Sequence, residues 1–216
     1  MNIIVLGQAG SGKGTQAEIL AQKFEADHFD AGKLLRQVAK MGGKLGQEIH
    51  NIINVKRELV PSRILKEIVH LRISDMPREQ GIIFDGVPRN LEQAQYFSEA
   101  LQSFGRKIDA VFFINIPAEE SIRRISSRRI CEDCKKILIM GQDVQNESEV
   151  CPVCGGKIMH RLDDTVVGVK KRLQVFNEET MPVIDFYKEQ NILIDINGVQ
   201  DIQKVAEDMA GSLEKI

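Results

Sequence analysis

The residues of this chain best suited to chemistry follow its first apolar run, where positions 7–15 read GQAGSGKGT. Glycines allow the backbone to turn its N–H groups inward around an anion, and a helix starting there adds the positive end of its dipole. Lys13 is placed to reach β- and γ-phosphates, and Thr15 supplies a hydroxyl for a phosphate or a metal ion. The general phosphate-loop pattern has Ser or Thr directly after the lysine. Gly14 shifts that pattern by one residue, and a simple glycine-rich turn is the alternative.

The four cysteines form a second candidate site, because Cys131-x-x-Cys134 and Cys151-x-x-Cys154 are separated by 16 residues. That spacing is typical of a zinc ribbon, in which two tight turns supply four thiolates to a tetrahedral Zn²⁺ ion. Four thiolates leave no open coordination position, so the predicted zinc is structural and orders a module too small to bury its own core. Disulfides are the alternative, although they are rare in cytosolic proteins.

Short apolar runs alternate with segments of helical period along the rest of the chain. The β-branched runs indicate strands buried on both faces of a parallel sheet, at 2–6, 26–30, 82–85, 110–116 and 192–196. Apolar stripes with spacings of three and four residues predict helices over 90–104, 165–188 and 200–214. Pro182 lies inside the second of these helices and should kink it or end its first half. The alternation predicts an α/β fold, interrupted by a strand-free helical stretch, 31–73, and by the cysteine-bearing stretch 131–160.

The composition excludes several classes of protein. Lys and Arg total 29 against 31 Asp and Glu, a net charge of −2, which argues against a dedicated nucleic-acid-binding protein. The segment between the cysteine pairs also has no aromatic residue for base stacking. No apolar stretch reaches the roughly 18 residues that a membrane helix needs, and the N-terminus lacks the features of a signal peptide. We therefore expect a cytoplasmic protein that binds neither nucleic acid nor membrane.

Further motifs follow the phosphate loop in a fixed order. They are DAGKLLR at 30–36, RELVP at 57–61, FDGVPRNLEQA at 84–94, RISSRR at 124–129, RLDD at 161–164 and DINGVQDI at 195–202. With the phosphate loop and the four cysteines, this series resembles the nucleoside monophosphate kinases, and most closely the adenylate kinases with a zinc-bearing lid. The resemblance spans essentially the whole chain.

The resemblance implies a P-loop NTPase-type fold, in which helices flank a parallel five-stranded sheet. The core would comprise 1–29, 61–126 and 162–216, with a helical insertion at 30–60 that binds the nucleoside monophosphate and a zinc-ribbon lid at 127–161. Both insertions would close over the substrates and exclude water, which would otherwise hydrolyse ATP. The implied partners are ATP and a nucleoside monophosphate, with Mg²⁺ accompanying ATP and Zn²⁺ as a structural cofactor, in a monomeric protein.

The family's functional residues can be carried over one position at a time. For ATP they are Gly10, Ser11, Gly12, Lys13, Gly14, Thr15, Arg124, Arg128 and Gln200. For the acceptor nucleotide they are Ala31, Arg36, Glu58, Leu59, Val60, Gly86, Val87, Pro88, Arg89, Gln93, Arg161 and Arg172. The residues implied in catalysis are Lys13, Arg89, Arg128, Arg161 and Arg172, and Asp85 would help to place Mg²⁺ through water. So many cations suit a reaction between two anionic nucleotides, which needs positioning and charge neutralisation more than covalent help.

Four positions depart from the usual adenylate kinase pattern, namely Ala31, Lys33, Val87 and Leu138. Ala31 and Asn90 resemble the UMP/CMP kinases instead, whereas Gln93 can present a donor and an acceptor to adenine and favours AMP. Lys33 replaces the usual Asp and reverses a charge near the phosphates and Mg²⁺.

The resemblance therefore predicts the reaction ATP + AMP ⇌ 2 ADP. A UMP/CMP-type kinase, a catalytically weak nucleotide-binding regulatory protein and a zinc-ribbon nucleic-acid adaptor are the alternatives. The four histidines of the chain lie outside these motifs and are expected to be structural or surface residues.

Overall fold

The central sheet is built from the short apolar runs of the sequence. The structure, a computed structural model, describes residues 1–56, 58–146, 148–160 and 164–214. Its strands are β1 (Asn2–Leu6), β2 (Asp27–Asp30), β3 (Ile82–Asp85), β4 (Ala110–Asn115), β5 (Arg128–Cys131), β6 (Ile137–Ile139), β7 (Ile158–Met159) and β8 (Leu193–Asn197). Five of them form a parallel sheet in the order β2-β3-β1-β4-β8. The five predicted strands are confirmed, with their ends displaced by one residue at most.

Helices connect these strands and cover both faces of the sheet. They are α1 (Lys13–Lys23), α2 (Ala31–Met41), α3 (Gly43–His50), α4 (Ser62–Ser74), α5 (Leu91–Ser103), α6 (Ala118–Ser127), α7 (Val166–Val175), α8 (Met181–Glu189) and α9 (Ile202–Leu213). Four of them begin where a side-chain oxygen accepts a backbone N–H from the first turn, at Asp30, Asn90, Thr165 and Asp201. No helix in the described part of the chain is long and apolar enough to cross a membrane.

The apolar runs are continuous because both faces of the sheet are covered. Along β1, Ile4 and Leu6 join a core layer with α4, α5 and α8, whereas Ile3 and Val5 join a layer with α1 and α9. Every residue of β1 is buried. A strand with only one covered face would alternate apolar and polar residues, so this pattern is typical of a parallel sheet between two helical layers.

The helical stretch predicted over 165–188 is interrupted in the structure. Helix α7 ends at Val175, a π-helical segment (Phe176–Thr180) follows, and α8 then begins with Pro182 in its first turn. Pro182 has no N–H and cannot donate the helical hydrogen bond to the preceding turn. The wider π-helical turn lies directly before this position. The prediction that Pro182 ends the first half of the helix is therefore confirmed, with a π-helical segment in place of a simple kink.

Two long connections separate elements of the core. Between β2 and β3 the chain forms α2, α3, a second π-helical segment (Asn51–Lys56) and α4, with no strand among the described residues. Between α6 and α7, a separate antiparallel sheet has the order β6-β5-β7. A small cluster of buried residues supports that sheet, comprising Cys131, Leu138, Val144, Cys151 and Ile158. The two outer connections are thus a helical unit and a cysteine-bearing β unit.

Candidate active site

The phosphate loop joins β1 to α1 at the carboxyl edge of the parallel sheet. Gly12 precedes the helix with a φ of +89°, a left-handed conformation that favours glycine, and a Cβ there would meet no atom within 4 Å. Ser11 is buried, and its Oγ accepts the backbone N–H of Lys13 at 3.4 Å. Thr15 lies exposed on the first turn of α1. The loop therefore leaves open space against a helix N-terminus, an arrangement that attracts an anion.

Gly14 has a steric reason for its place after the lysine. A Cβ at this position would lie 3.1 Å from Oδ2 of Asp85, the last residue of β3. The Ser or Thr of the general phosphate-loop pattern would have to displace this carboxylate. The glycine shift therefore follows from the close approach of an acidic residue to the first turn of α1.

Lys13 lies where several cations converge. Its Nζ donates to the carbonyl oxygen of Gln8 at 3.4 Å. Burial lowers the pKa of Lys13 to about 8, and although Asp85 opposes the shift, the charges of Arg89, Arg128 and Arg172 add to it. Lys13 and the three arginines, all predicted to bind phosphates, therefore lie close enough for their charges to repel one another. A bound polyanion would relieve this repulsion.

Asp164 holds two of these arginines. Its carboxylate oxygens accept Nε and Nη2 of Arg128 at 2.7 and 2.6 Å, and Oδ1 also accepts Nη2 of Arg172 at 2.9 Å. The Asp164 side chain is fully buried, so these charge-assisted bonds are protected from solvent. The residue orients two guanidinium groups, from β5 and α7, that are 44 residues apart in sequence.

The residues predicted for the acceptor site meet around the turn after β3. Nε of Arg89 donates to Gly86 O at 2.7 Å, and its backbone N–H donates to Gln93 Oε1 at 2.7 Å. The other end of the buried Gln93 amide approaches Val60 O at 3.4 Å. Thr180 Oγ1 donates to Arg89 O at 2.8 Å, so the π-helical segment Phe176–Thr180 also fixes this turn. Gln93 therefore links Arg89 to the insertion.

The remaining acceptor residues surround this turn. Ala31 and Val87 are buried, Leu59 is half-buried and Glu58 is exposed. Loss of bulk water lowers the pKa of the Arg89 guanidinium, an effect that Arg36 strengthens and Asp30 opposes. Arg36 therefore lies within electrostatic reach of Arg89, although its own side chain is exposed on α2.

The predicted adenine end of the ATP site brings α6 next to the loop after β8. Arg124 donates through Nε to Glu120 at 2.6 Å and through Nη2 to Gly198 O at 2.8 Å. Nε2 of Gln200 donates to Asn197 O at 3.0 Å and to Asp208 at 2.9 Å. Arg124 and the loop 198–200 therefore lie together.

The four cysteines gather in the small β unit. Their sulfur atoms all lie within 4.8 Å of one another, and no disulfide joins them. The pairs Cys131–Cys154 and Cys134–Cys151 have sulfur separations of 3.4 and 3.7 Å. A tetrahedral zinc site with Zn–S bonds of about 2.3 Å places its sulfurs about 3.8 Å apart. The donor set therefore fits a four-coordinate Zn²⁺ ion.

The ionisation of these thiols also favours a cation. Burial opposes ionisation of Cys131, but the backbone N–H groups of Cys134 and Asp133 lower its pKa to about 7. A backbone bond from Lys136 favours the Cys134 thiolate, but the adjacent sulfur of Cys154 raises the pKa of Cys134 to about 12. Close packing therefore prevents joint ionisation of the thiols, unless a metal ion balances their charges.

Three residues that position arginines, Asp164, Glu120 and Thr180, were given no role by the sequence analysis. Asp164 lies in the RLDD motif, whereas Glu120 and Thr180 lie outside the quoted motifs. His28 was expected to be structural, yet its Nε2 lies 3.7 Å from Oδ2 of Asp85. Arg161, predicted to bind the acceptor nucleotide and to take part in catalysis, lies outside the described residues.

Comparison with known proteins agrees with this geometry. The family model described as Adenylate kinase matches residues 5–192. A protein named adenylate kinase from Kosmotoga olearia is 38% identical over 216 residues, which covers 100% of both chains. Similar proteins of the same name from Archaeoglobus fulgidus and Methanocella arvoryzae are 37% and 35% identical over 216 residues, covering at least 99% of each chain. The chain therefore belongs to the adenylate kinase family.

Proposed function

We propose that this protein transfers a phosphoryl group from Mg²⁺-bound ATP to AMP, in the reversible reaction ATP + AMP ⇌ 2 ADP. The observation that carries the proposal is the convergence of Lys13, Arg89, Arg128 and Arg172 around the phosphate loop. Burial lowers the pKa of Lys13 to about 8, and the charges of the three arginines add to this shift against the opposing charge of Asp85. Such a cluster is costly without an anion between its members. Transfer between two nucleotides places the most negative charge at the reacting phosphate, so oriented cations stabilise the transition state.

Each part of the cleft has a role in this reaction. The loop 10–15 binds the ATP phosphates, and Arg124 with Gln200 lies at the ATP base. Arg36 and Arg89 hold the acceptor phosphate, and Arg128 and Arg172, oriented by Asp164, neutralise the transferred group together with Arg161. The attacking oxygen of the acceptor is already ionised, so no general base is needed. Asp85 places the Mg²⁺ that arrives with ATP.

The two outer units are proposed to act as covers for the cleft. The helical insertion, 30–60, would close on the acceptor and the β unit, 127–161, on ATP, and together they would exclude water. The zinc ion would hold the β unit rigid, because its cluster of buried apolar residues is small. Cytoplasmic location and a monomeric state stay predictions from the sequence.

AMP is preferred as the acceptor on the strength of Gln93. This residue is 2% exposed and its amide is anchored between Arg89 and Val60, at the predicted acceptor site. The amide has two N–H groups and two lone pairs on its oxygen, so after these two bonds it keeps one donor and one acceptor for a base edge. Ala31 and Asn90 are the residues that support UMP or CMP instead.

A coupled assay with AMP, UMP, CMP and GMP offered separately tests the proposal. We expect AMP to give by far the highest kcat/KM, and Gln93→Asn to lower it by about 10- to 100-fold, the cost of one or two hydrogen bonds. Gln95→Asn, at an exposed position on the same helix, is the matched control. A faster reaction with UMP or CMP would disprove the adenylate preference. ATP binding without turnover of any acceptor would disprove kinase activity.

A further inference from the structure

Lys33 reverses a charge that the family carries near the phosphates and Mg²⁺. Its side chain is exposed on α2, and its backbone N–H donates to Oδ1 of Asp30 at 2.7 Å. The residue therefore contributes its main chain to a helix cap, and the carboxylate beside it comes from Asp30. This substitution raises the question of which residue now supplies the missing negative charge.

Asp30 lies beside Asp85 at the carboxyl edge of the sheet. The two residues end β2 and β3 and are partners in the parallel register. Neighbouring strands lie about 4.8 Å apart, and partners in register project from the same face of the sheet. Ile83 lies two residues before Asp85 on β3 and therefore points to the same face of the sheet. Because Ile83 belongs to the core layer of α1, that face packs against α1. The Asp85 carboxylate reaches the start of α1, where its Oδ2 lies 3.1 Å from the Cβ position of Gly14, and Asp30 ends the neighbouring strand on the same face of the sheet.

One oxygen of the Asp85 carboxylate is buried without a hydrogen-bond partner among the described residues. The Asp85 side chain is 9% exposed, and its Oδ1 is buried and accepts no hydrogen bond from any residue in the described ranges. A buried, unpaired carboxylate oxygen is costly, so its presence indicates a cation or a cation-bound water at this point. Asp85 by itself is the carboxylate that the family resemblance implies.

Asp30 also faces the acceptor-binding arginines. Its charge raises the pKa of Arg89 against the effect of burial, and a Cβ at Gly32 would lie 3.3 Å from Asp30 Oδ1 and 3.0 Å from Nη1 of Arg36. Asp30 therefore lies between the Asp85 edge of the sheet and the acceptor-binding arginines.

We propose that Asp30 is the second carboxylate that positions the Mg²⁺ entering with ATP, next to Asp85, in place of the acidic residue that the family has at position 33. This inference rests on the proposed function. The negative charge is moved by one helical turn, from the first turn of α2 to its cap. Lys33 is then a tolerated surface substitution, and the chain keeps two carboxylates at the metal.

The variant Asp30→Asn isolates this charge. Asparagine caps helices as well as aspartate does, so α2 keeps its first hydrogen bond while the carboxylate is lost. The matched control is Asp27→Asn, which removes the same charge from the opposite end of β2, where Asp27 pairs with Arg72 on the surface. The double variant Asp30→Asn/Lys33→Asp restores a carboxylate at the position that the family uses.

Electron paramagnetic resonance of free Mn²⁺, titrated into the complex of each variant with ATP, measures metal affinity without turnover. We expect Asp30→Asn to weaken Mn²⁺ binding by about tenfold, the usual effect of losing a group that orients a metal ligand. Asp27→Asn should match the unmodified protein, and the double variant should regain the lost affinity.

Two results would overturn the proposal. Unchanged Mn²⁺ affinity in Asp30→Asn, with a raised KM for AMP, would assign Asp30 to Arg89 and not to the metal. Weakened binding without recovery in the double variant would refute the equivalence with position 33. Failure of the unmodified protein to form ADP would refute the proposed reaction, and the Mn²⁺ titration would still report on Asp30.

Discussion

Replacing Lys13 by Met should abolish turnover and, at the same time, stabilise the nucleotide-free protein. Burial and three nearby arginines lower the pKa of Lys13 from its ordinary 10.5 to about 8. A lysine with a lowered pKa is more costly to charge in the folded state than in the unfolded chain. Methionine has a similar length and no charge, so it removes this cost without leaving a large cavity.

The size of the effect follows from the shift. A change of about 2.5 pKa units corresponds to about 3.4 kcal/mol at 1.36 kcal/mol per unit. Lys13 is half-buried, and solvent screens part of that cost, so we expect a gain in unfolding free energy of about 1–3 kcal/mol at pH 7. Between pH 8 and 10.5 the unfolded chain binds more protons at this lysine than the folded one. The stability of the unmodified protein therefore rises through this window, and the advantage of Lys13→Met shrinks.

Urea unfolding at pH 7, 8.5 and 10 (values chosen around the shift) measures this difference for each protein. The control is Lys40→Met, an exposed position on α2 that should give no pH-dependent difference. Saturating ATP should reverse the order at pH 7, because its phosphates compensate Lys13 in the unmodified protein only. A variant that is less stable than the unmodified protein at pH 7, or a gain that stays constant with pH, would refute the reasoning.

Four further outcomes follow from the contacts at the site. Asp164→Asn should lower kcat/KM by about 100-fold, because misplaced catalytic groups have that cost, and the coupled assay measures it. Gly14→Ser should lower the rate by at least about tenfold, because its Cβ would lie 3.1 Å from Asp85 Oδ2; an equal rate would show that this contact relaxes freely. The unmodified protein should bind about one zinc per chain, as elemental analysis would show. Cys151→Ser should abolish this binding and lower the melting temperature measured by calorimetry. Lys33→Asp alone should change kcat by less than about threefold, and a large gain would identify Lys33 as a lesion.

The central sheet could be predicted because burial on both faces leaves a clear signal. Runs such as 110–114 are apolar without interruption, which is typical of a strand buried on both faces of a parallel sheet. The structure of the segment 165–188 was harder to predict from the sequence. Its stripe continues through Phe176 and Thr180, since both are buried, although the hydrogen bonding there changes to the π type. Periodicity records which side chains face the core, and it does not record which carbonyl each N–H reaches.

The cations of the site were identifiable from motifs, but the groups that hold them were not. Glu120 lies one turn before Arg124 on α6, a spacing found in many surface ion pairs. Nothing in the sequence indicates that Arg124 also donates a hydrogen bond to Gly198 O. Asp164 lies 36 residues from Arg128, and only the meeting of the two connections with the core brings them together. Contacts of this kind depend on how the elements pack, so a motif indicates one partner and leaves the other unassigned.

The near-zero net charge of the chain is compatible with a cationic cleft because acidic residues are built into it. Arg124 is held by Glu120, and Arg128 and Arg172 are both held by Asp164. Each carboxylate orients a cation and lowers the repulsion among cations before any nucleotide arrives. A broad basic surface would attract any polyanion, including nucleic acid. Cations held by carboxylates inside the site instead offer fixed directions to a few phosphates, and a chain of nearly balanced charge can contain such a group of cations.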